Sequence, residues 1–244
     1  MRSDYTLARL FIDAPLRGTI ELPREQSHYL ATVLRKRDGD RVRVFNGRDG
    51  EWAAGVEVSG RKSVSLRVEE RLRGPQNTPD IRLLFAPLRR HRTATVLEKA
   101  TELGVQTLQP VITARTQFPK LNLDRGRAQI IEAAEQTERL DLPELCEPVA
   151  LAEALATMQN GRMLLFADEA GDAPEAVHAL RDLHLPLDIL IGPEGGFTPD
   201  ERSAIRSLVA ARPISLGPRI LRADTAALAV LTLVQAHCGD WRQS

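Results

Sequence analysis

Four short apolar runs, too far apart to form hairpins with one another, constrain this chain more than any other feature. IRLLFA (81–86), LQPVI (108–112), MLLFA (163–167) and LDILI (187–191) each have the length of a buried strand. Between them lie segments with helical spacing. Thr93 to Leu103 puts Val96, Ala100 and Leu103 on one face and ends at Gly104, and further helices are expected near Arg127–Glu138 and Pro174–Leu183. Continuously apolar strands alternating with amphipathic helices predict a parallel sheet covered on both faces. Ligands of such sheets bind beyond the carboxyl ends of the strands. The loops after residues 167, 191 and 216 are therefore the places to look for chemistry.

The first part of the chain has a different grammar. RVRVF (41–45) and SVSLRV (63–68) alternate apolar and polar residues, and Asp38-Gly39, Asn46-Gly47 and Asp49-Gly50 are turn signals. With one helix expected near Glu25–Leu34, this predicts a small β-barrel. The composition changes at RGPQNTPD (73–80), which places a linker there and divides the chain into residues 1–74 and 75–244. The formal net charge of zero conceals an asymmetry, since residues 1–74 carry 15 Lys and Arg against 11 Asp and Glu. So small an excess does not by itself identify a nucleic-acid binder. Cys146 and Cys238 share no metal-ligand spacing and are expected to be free thiols in a reducing cytoplasm. No signal peptide is visible and no apolar run approaches a membrane span, so a cytoplasmic protein that binds no membrane is expected.

The loop after LDILI reads IGPEGGFTPDE (191–201). Gly192, Gly195 and Gly196 permit positive φ and close backbone approach, and Thr198, Pro199 and Glu201 form the start of a helix with a capping box. A phosphate cradle is opposed by the absence of a Gly-Lys-Ser/Thr or Gly-x-Gly-x-x-Gly pattern and by Glu194, which would repel an anion. The residues alone leave a ligand-binding loop and a solvated turn both open. The loop after PISL carries Gly217-Pro218, then Arg219-Ile220-Leu221-Arg222, with Asp224 or Thr225 as expected cap of a helix apolar almost all round. Such a helix must be buried by its own sheet or by a second subunit. In FADEAGD (166–172), Asp168 and Glu169 lack partners at ligand spacing, so no metal is expected. Basic clusters stand at 35–37 and 89–92, and no His has a Ser or Cys partner at hydrolase spacing.

EKATELGV (98–105), EAAEQTERLDLP (132–143), LIGPEGGFTPDE (190–201), SLGPRILRADTAAL (215–228) and HYLATVLRKRDGDRVRVFNG (28–47) together resemble the 16S ribosomal RNA uridine-N3 methyltransferases of the SPOUT superfamily. The resemblance spans nearly the whole chain. It implies a PUA-like RNA-binding barrel followed by an α/β domain with a trefoil knot, a homodimer, S-adenosylmethionine as cofactor and ribosomal RNA of the small subunit as partner. By position, it places the cofactor against Leu165, Phe166 and Ala167, against Ile191, Gly192, Pro193, Glu194, Gly195 and Gly196, and against Leu216, Gly217, Ile220, Leu221 and Thr225. Arg222, with Arg9 reaching across the dimer, is the expected catalytic pair, and Arg35, Lys36, Arg37, Arg89 and Arg92 are expected on the RNA phosphates. The chain departs from the family in having Asp224 where Glu is usual, so that carboxylate is expected to cap its helix before it does chemistry. Glu194 is expected to fix its loop or meet a polar part of the cofactor. The rival readings are a related enzyme acting on transfer RNA and a non-catalytic RNA-binding protein of the same fold.

Overall fold

The computed structural model describes residues 7–59, 63–158, 161–168 and 173–242. The chain forms two compact units, one of Met1–Asn77 with Ala134–Asp141, the other of Thr78–Ala133 with Leu142–Ser244.

In the first unit, β1 (Arg9–Phe11), β2 (Thr19–Glu21), β3 (Arg41–Phe45), β4 (Glu51–Ser59) and β5 (Ser63–Arg73) form one sheet in the order β1-β3-β4-β5-β2. Only β1 and β3 run parallel. The alternation of RVRVF and SVSLRV sends Val42, Val44, Val64 and Leu66 into one core with Leu10, Leu22 and Leu30. The expected helix is present as α1 (Arg24–His28), which widens into a π-helical turn over Tyr29–Val33. The same unit holds a buried ion network that no local sequence pattern announces. Glu51, 1% exposed, accepts from Arg9 Nε at 2.7 Å and from Arg73 Nε at 2.8 Å, and Arg43 pairs with Glu138 at 2.7 Å. Burial alone would raise the Glu51 pKa, but the hydrogen bonds from Arg73 and Arg9 outweigh it and hold the carboxyl below its ordinary value.

The second unit is the expected parallel sheet. β6 (Ile81–Phe85), β7 (Thr107–Ile112), β8 (Glu144–Leu145), β10 (Met163–Ala167), β11 (Leu187–Ile191) and β12 (Ala211–Ile214) stand in the order β12-β10-β11-β6-β7-β8, with β9 (Val149–Ala150) beside β7. Side chains alternate between two cores, as the pleat requires. Leu83, Phe85, Leu165, Ile189 and Ile191 face α2 (Arg90–Glu102), α3 (Leu123–Gln136), α5 (Ala176–Ala179) and α7 (Ala223–Cys238). Leu84, Leu164, Phe166 and Leu190 face α4 (Leu151–Ala156) and α6 (Pro199–Arg206). Helix α3 begins four residues before the expected Arg127, because the cap is Asn122, whose Oδ1 accepts from the Arg125 N–H at 2.8 Å. The helix expected over 174–183 has one α-helical stretch, after which Leu180 and Leu183 are buried from turns.

Strand β11 is inserted between β10 and β6, so the chain leaves β11 toward β12 on one side and leaves β6 toward β7 on the other. That divergence opens a crevice at the carboxyl edge of the sheet. At the opposite edge Asp188, fully buried, receives Arg162 Nε at 2.8 Å and the Arg82 guanidinium, while Arg162 also binds Asp80.

Candidate active site

The Gly-rich loop after β11 is heavily anchored. The Thr198 hydroxyl accepts from the Glu201 N–H at 3.2 Å and the Glu201 carboxylate accepts from the Thr198 N–H at 2.9 Å, completing the capping box. The other Glu201 oxygen accepts from the Ala114 N–H at 2.7 Å, and Arg115 donates to the Gly195 carbonyl at 2.7 Å. A Cβ on Gly192 would stand 3.0 Å from two ring atoms of Phe197, so glycine is what lets that ring close under the loop. Gly196 turns the chain at φ 65, in the left-handed region that other residues avoid. Glu194 is neither free nor turned inward alone: it accepts from Arg92 Nη1 at 2.9 Å. The pair ties the start of α2 to the loop after β11, across the divergence of the two connections.

Beside this loop lie two adjoining clefts. The larger, of about 610 Å³, is walled by Ile214, Leu216, Ile220, Leu221 and Ala226 and reaches Gly217. The smaller, of about 40 Å³, lies under Ile191, Gly192, Pro193 and Phe197. They share Ala167, Asp168, Leu221 and Ala226. The larger volume is within the usual range of about 300–1,000 Å³ for small-molecule sites. The 215–221 segment is held by paired hydrogen bonds, Ala176 N–H to the Ser215 carbonyl at 3.0 Å and Ser215 N–H to the Pro174 carbonyl at 2.8 Å. Asp168 is buried and faces Arg202 at 2.9 Å and Arg206 at 2.7 Å. Its charge is thus compensated from α6, and among the described residues no group of three His, Cys, Asp or Glu could hold a metal ion. Glu169 lies outside the described residues.

Residues 75–235 match the model of the RNA methyltransferase domain, and residues 22–69 match that of the RNA methyltransferase PUA domain. The chain belongs to the RNA methyltransferase family. It is 33% identical over 240 residues to the ribosomal RNA small subunit methyltransferase E of Rickettsia conorii, covering 95% of this chain and 98% of that one. It is 32% identical to the Synechocystis protein of the same name, covering 96% and 79%. Among solved structures it is similar to a methyltransferase of Legionella pneumophila in complex with bound S-adenosylmethionine (30% identity, TM-score 0.87, 96% and 99% covered). It is also similar to the ribosomal RNA small subunit methyltransferase E of Neisseria gonorrhoeae bound to S-adenosyl methionine (26%, TM-score 0.83, 96% and 99%).

In this RNA methyltransferase the clefts bring together Ala167, Ile191, Gly192, Pro193, Glu194, Gly196, Leu216, Gly217, Ile220 and Leu221. Four expected residues do not line them. Leu165 and Phe166 are fully buried on opposite faces of β10, because the pleat turns residues inside the strand end into the two helix layers. Gly195 faces Arg115, and Thr225 is exposed on the first turn of α7. The cap expected of Asp224 or Thr225 is also corrected. Arg222 occupies the N-cap position with φ −65 and ψ 151, and Asp224 accepts from the Thr225 N–H at 3.0 Å inside the first turn.

Arg9, expected as a catalytic partner of Arg222, lies inside a buried network of its own unit. Arg9 is 7% exposed, and its guanidinium pairs with Glu51, donates to the carbonyls of Ala134, Glu135 and Arg139 at 2.7, 3.0 and 2.9 Å, and lies 4.4 Å from the Phe45 ring centroid. With every donor nitrogen engaged, it cannot leave to meet a substrate without breaking a buried network. Arg222, by contrast, is exposed directly after Leu221, and no described residue bonds to its guanidinium. Of the expected phosphate contacts, Arg35, Arg37 and Arg89 are exposed and Lys36 is half-buried, whereas Arg92 is taken by Glu194. The residues that the sequence reading missed are Arg202 and Arg206. Their spacing of four on α6, just after the capping box, puts both on one helix face.

Proposed function

We propose that this chain is an S-adenosylmethionine-dependent methyltransferase that modifies N3 of a uridine in the RNA of the small ribosomal subunit. The observation that carries the reading is the 610 Å³ cleft at the carboxyl ends of β10 and β12. Its composition fits that cofactor: apolar side chains of Leu216, Ile220, Leu221 and Ala226 can enclose a flat ring, while strand-end and loop backbone offers donors and acceptors to its edge. Bound there, S-adenosylmethionine supplies an electrophilic methyl group on a sulfonium centre.

The residues of the chain do the rest. N3 of uracil is an imide nitrogen that must lose its proton to act as a nucleophile, and the resulting charge spreads onto O2 and O4. Arg222, exposed at the head of α7 beside the cleft, is placed to donate to one of those oxygens and so lower the barrier, as preorganised donors do at any oxyanion. Since N3 is occupied in a base pair, the target base must be unpaired or turned out before it enters. Arg35, Lys36 and Arg37 serve the surrounding phosphates, and the first 74 residues act as the RNA-binding domain, with residues 75–244 as the catalytic and dimer-forming domain.

A homodimer belongs to the same reading. On α7 the buried face is Ala223, Ala226, Ala227, Val230, Leu231 and Val234, which leaves Leu228, Ala229 and Leu233 partly open on the rest of the helix. Ile220 shows 82% of its surface at the cleft rim. A second copy covering α7 and Ile220 would remove this apolar surface from water. The knot implied by the resemblance is part of the proposal. A cytoplasmic location is part of the same reading; none of the described helices is long and apolar enough to cross a membrane. Mass mapping of ribosomal RNA tests the whole: cells lacking this protein should miss one methyluridine of the small subunit, restored by the gene. Identical maps with and without it would refute the reading.

A further inference from the structure

A second cleft of about 410 Å³ opens at the same edge of the sheet, beyond β6 and β7. It is bounded by the first turn of α2, the segment 118–122 and the first turns of α3. Three cations line it, Arg90, Lys120 and Arg125, all exposed, and no carboxylate does among the described residues. Its aromatic member is Phe118, 36% exposed, with the Arg89 guanidinium 5.9 Å from the ring centroid. The fold gains nothing by leaving a phenyl ring open amid like charges, which repel one another and have no acid to pair with among the described residues. A ligand with a flat apolar face and a polyanionic edge satisfies both features at once. Nucleotides of a single strand have that combination, stacking on aromatic platforms while phosphates meet the surrounding cations.

We propose that this cleft is a subsite for the single-stranded RNA flanking the target uridine, with one base stacked on Phe118 and the adjoining phosphates held by Arg90, Lys120 and Arg125. The proposal rests on the reading of the chain as an RNA methyltransferase. Helix α2 sits between the two sites: Arg90 lines the cationic cleft, and two residues on Arg92 grips Glu194 of the Gly-rich loop. The target base is turned out on one side of α2 while its neighbour is held on the other.

The test measures binding of a fluorescein-labelled single-stranded oligouridylate by anisotropy over a salt series, with S-adenosylmethionine binding followed by calorimetry on the same proteins. Phe118→Ala should weaken RNA binding about tenfold with an unchanged salt slope, and Phe118→Trp should restore it. The triple variant Arg90→Ala, Lys120→Ala, Arg125→Ala should flatten the slope by about 2, at about 0.7 per lost single-strand phosphate contact. All variants should bind S-adenosylmethionine as the unaltered protein does. Failure of the unaltered protein to bind the oligonucleotide, or wild-type RNA binding by the variants, overturns the subsite. Equal displacement of the RNA by an oligoglutamate of the same charge also overturns it and assigns the cleft to an acidic protein. Methyl transfer to ribosomal RNA by the unaltered protein is scored separately: its absence strikes the proposed activity, and its presence with unaffected variants strikes the subsite alone.

Discussion

The Arg92–Glu194 pair decides what the single acid in the Gly-rich loop is for. If Glu194 serves only to fasten the loop, Arg92→Ala and Glu194→Ala should weaken S-adenosylmethionine binding equally, and the double variant should be no worse than either. The side chains are 19% and 35% exposed, between a surface pair and a buried one. That places the interaction near the upper part of the range of about 0.2–1 kcal/mol for accessible pairs, or at most about a fivefold change in Kd. The loop should survive the loss, because Arg115 still holds the Gly195 carbonyl and Glu201 still holds the Ala114 N–H. Calorimetric titration of the four proteins closes the cycle, and the coupling should equal nearly the whole single-variant effect. A drop beyond tenfold for Glu194→Ala that persists in the Arg92→Ala background would refute this reasoning, since the carboxylate would then be touching the cofactor directly.

Arg222→Ala should retain cofactor binding and fall in kcat by two orders of magnitude or more, the scale of removing one oxyanion donor; wild-type turnover would remove Arg222 from the chemistry. Glu51→Gln should destabilise the first unit by about 3–5 kcal/mol, because it leaves Arg9 buried without its carboxylate, while Arg73 keeps Glu138 at 3.0 Å. The Glu51 pKa is depressed on folding, so its contribution is present above the ordinary glutamate value of about 4.3 and is lost as pH falls through the lower folded value. Urea unfolding at neutral and acid pH should therefore show a steeper acid loss for the native protein than for Glu51→Gln, and parallel curves would contradict the assignment.

The sheet was legible because its strands are buried on both faces, which forces continuous apolar runs such as LDILI, and because their helices repeat at 3.6 residues. What escaped was order across the sheet. Nothing local in LDILI says that it sits between β10 and β6, yet that insertion creates the crevice. The strand also carries Asp188, whose buried charge is compensated by arginines 106 and 26 residues away in sequence. Helix starts were legible where the cap is a short side chain followed by its partner, as at Thr198 and Glu201. They were misplaced at α7, where Arg222 caps by backbone geometry alone.

The harder distinction was among arginines, which the sequence presents as equivalent and the fold sorts by whether a carboxylate reaches them. Arg9 stands in an apolar strand as Leu10 and Phe11 do, and only the fold reveals that Glu51 and three carbonyls surround it. Arg82 and Arg162 at the amino edge of the parallel sheet are matched to Asp188 and Asp80, so they act on stability. At the carboxyl edge the matching is partial. Arg92, Arg202 and Arg206 are bound by Glu194 and Asp168 and shape the clefts. Arg90, Lys120, Arg125 and Arg222 are exposed at the same edge with no carboxylate within ion-pair distance among the described residues. Charge left uncompensated at a ligand-bearing edge, while every buried cation elsewhere is paired, is what an enzyme needs if its substrate brings the negative charge with it.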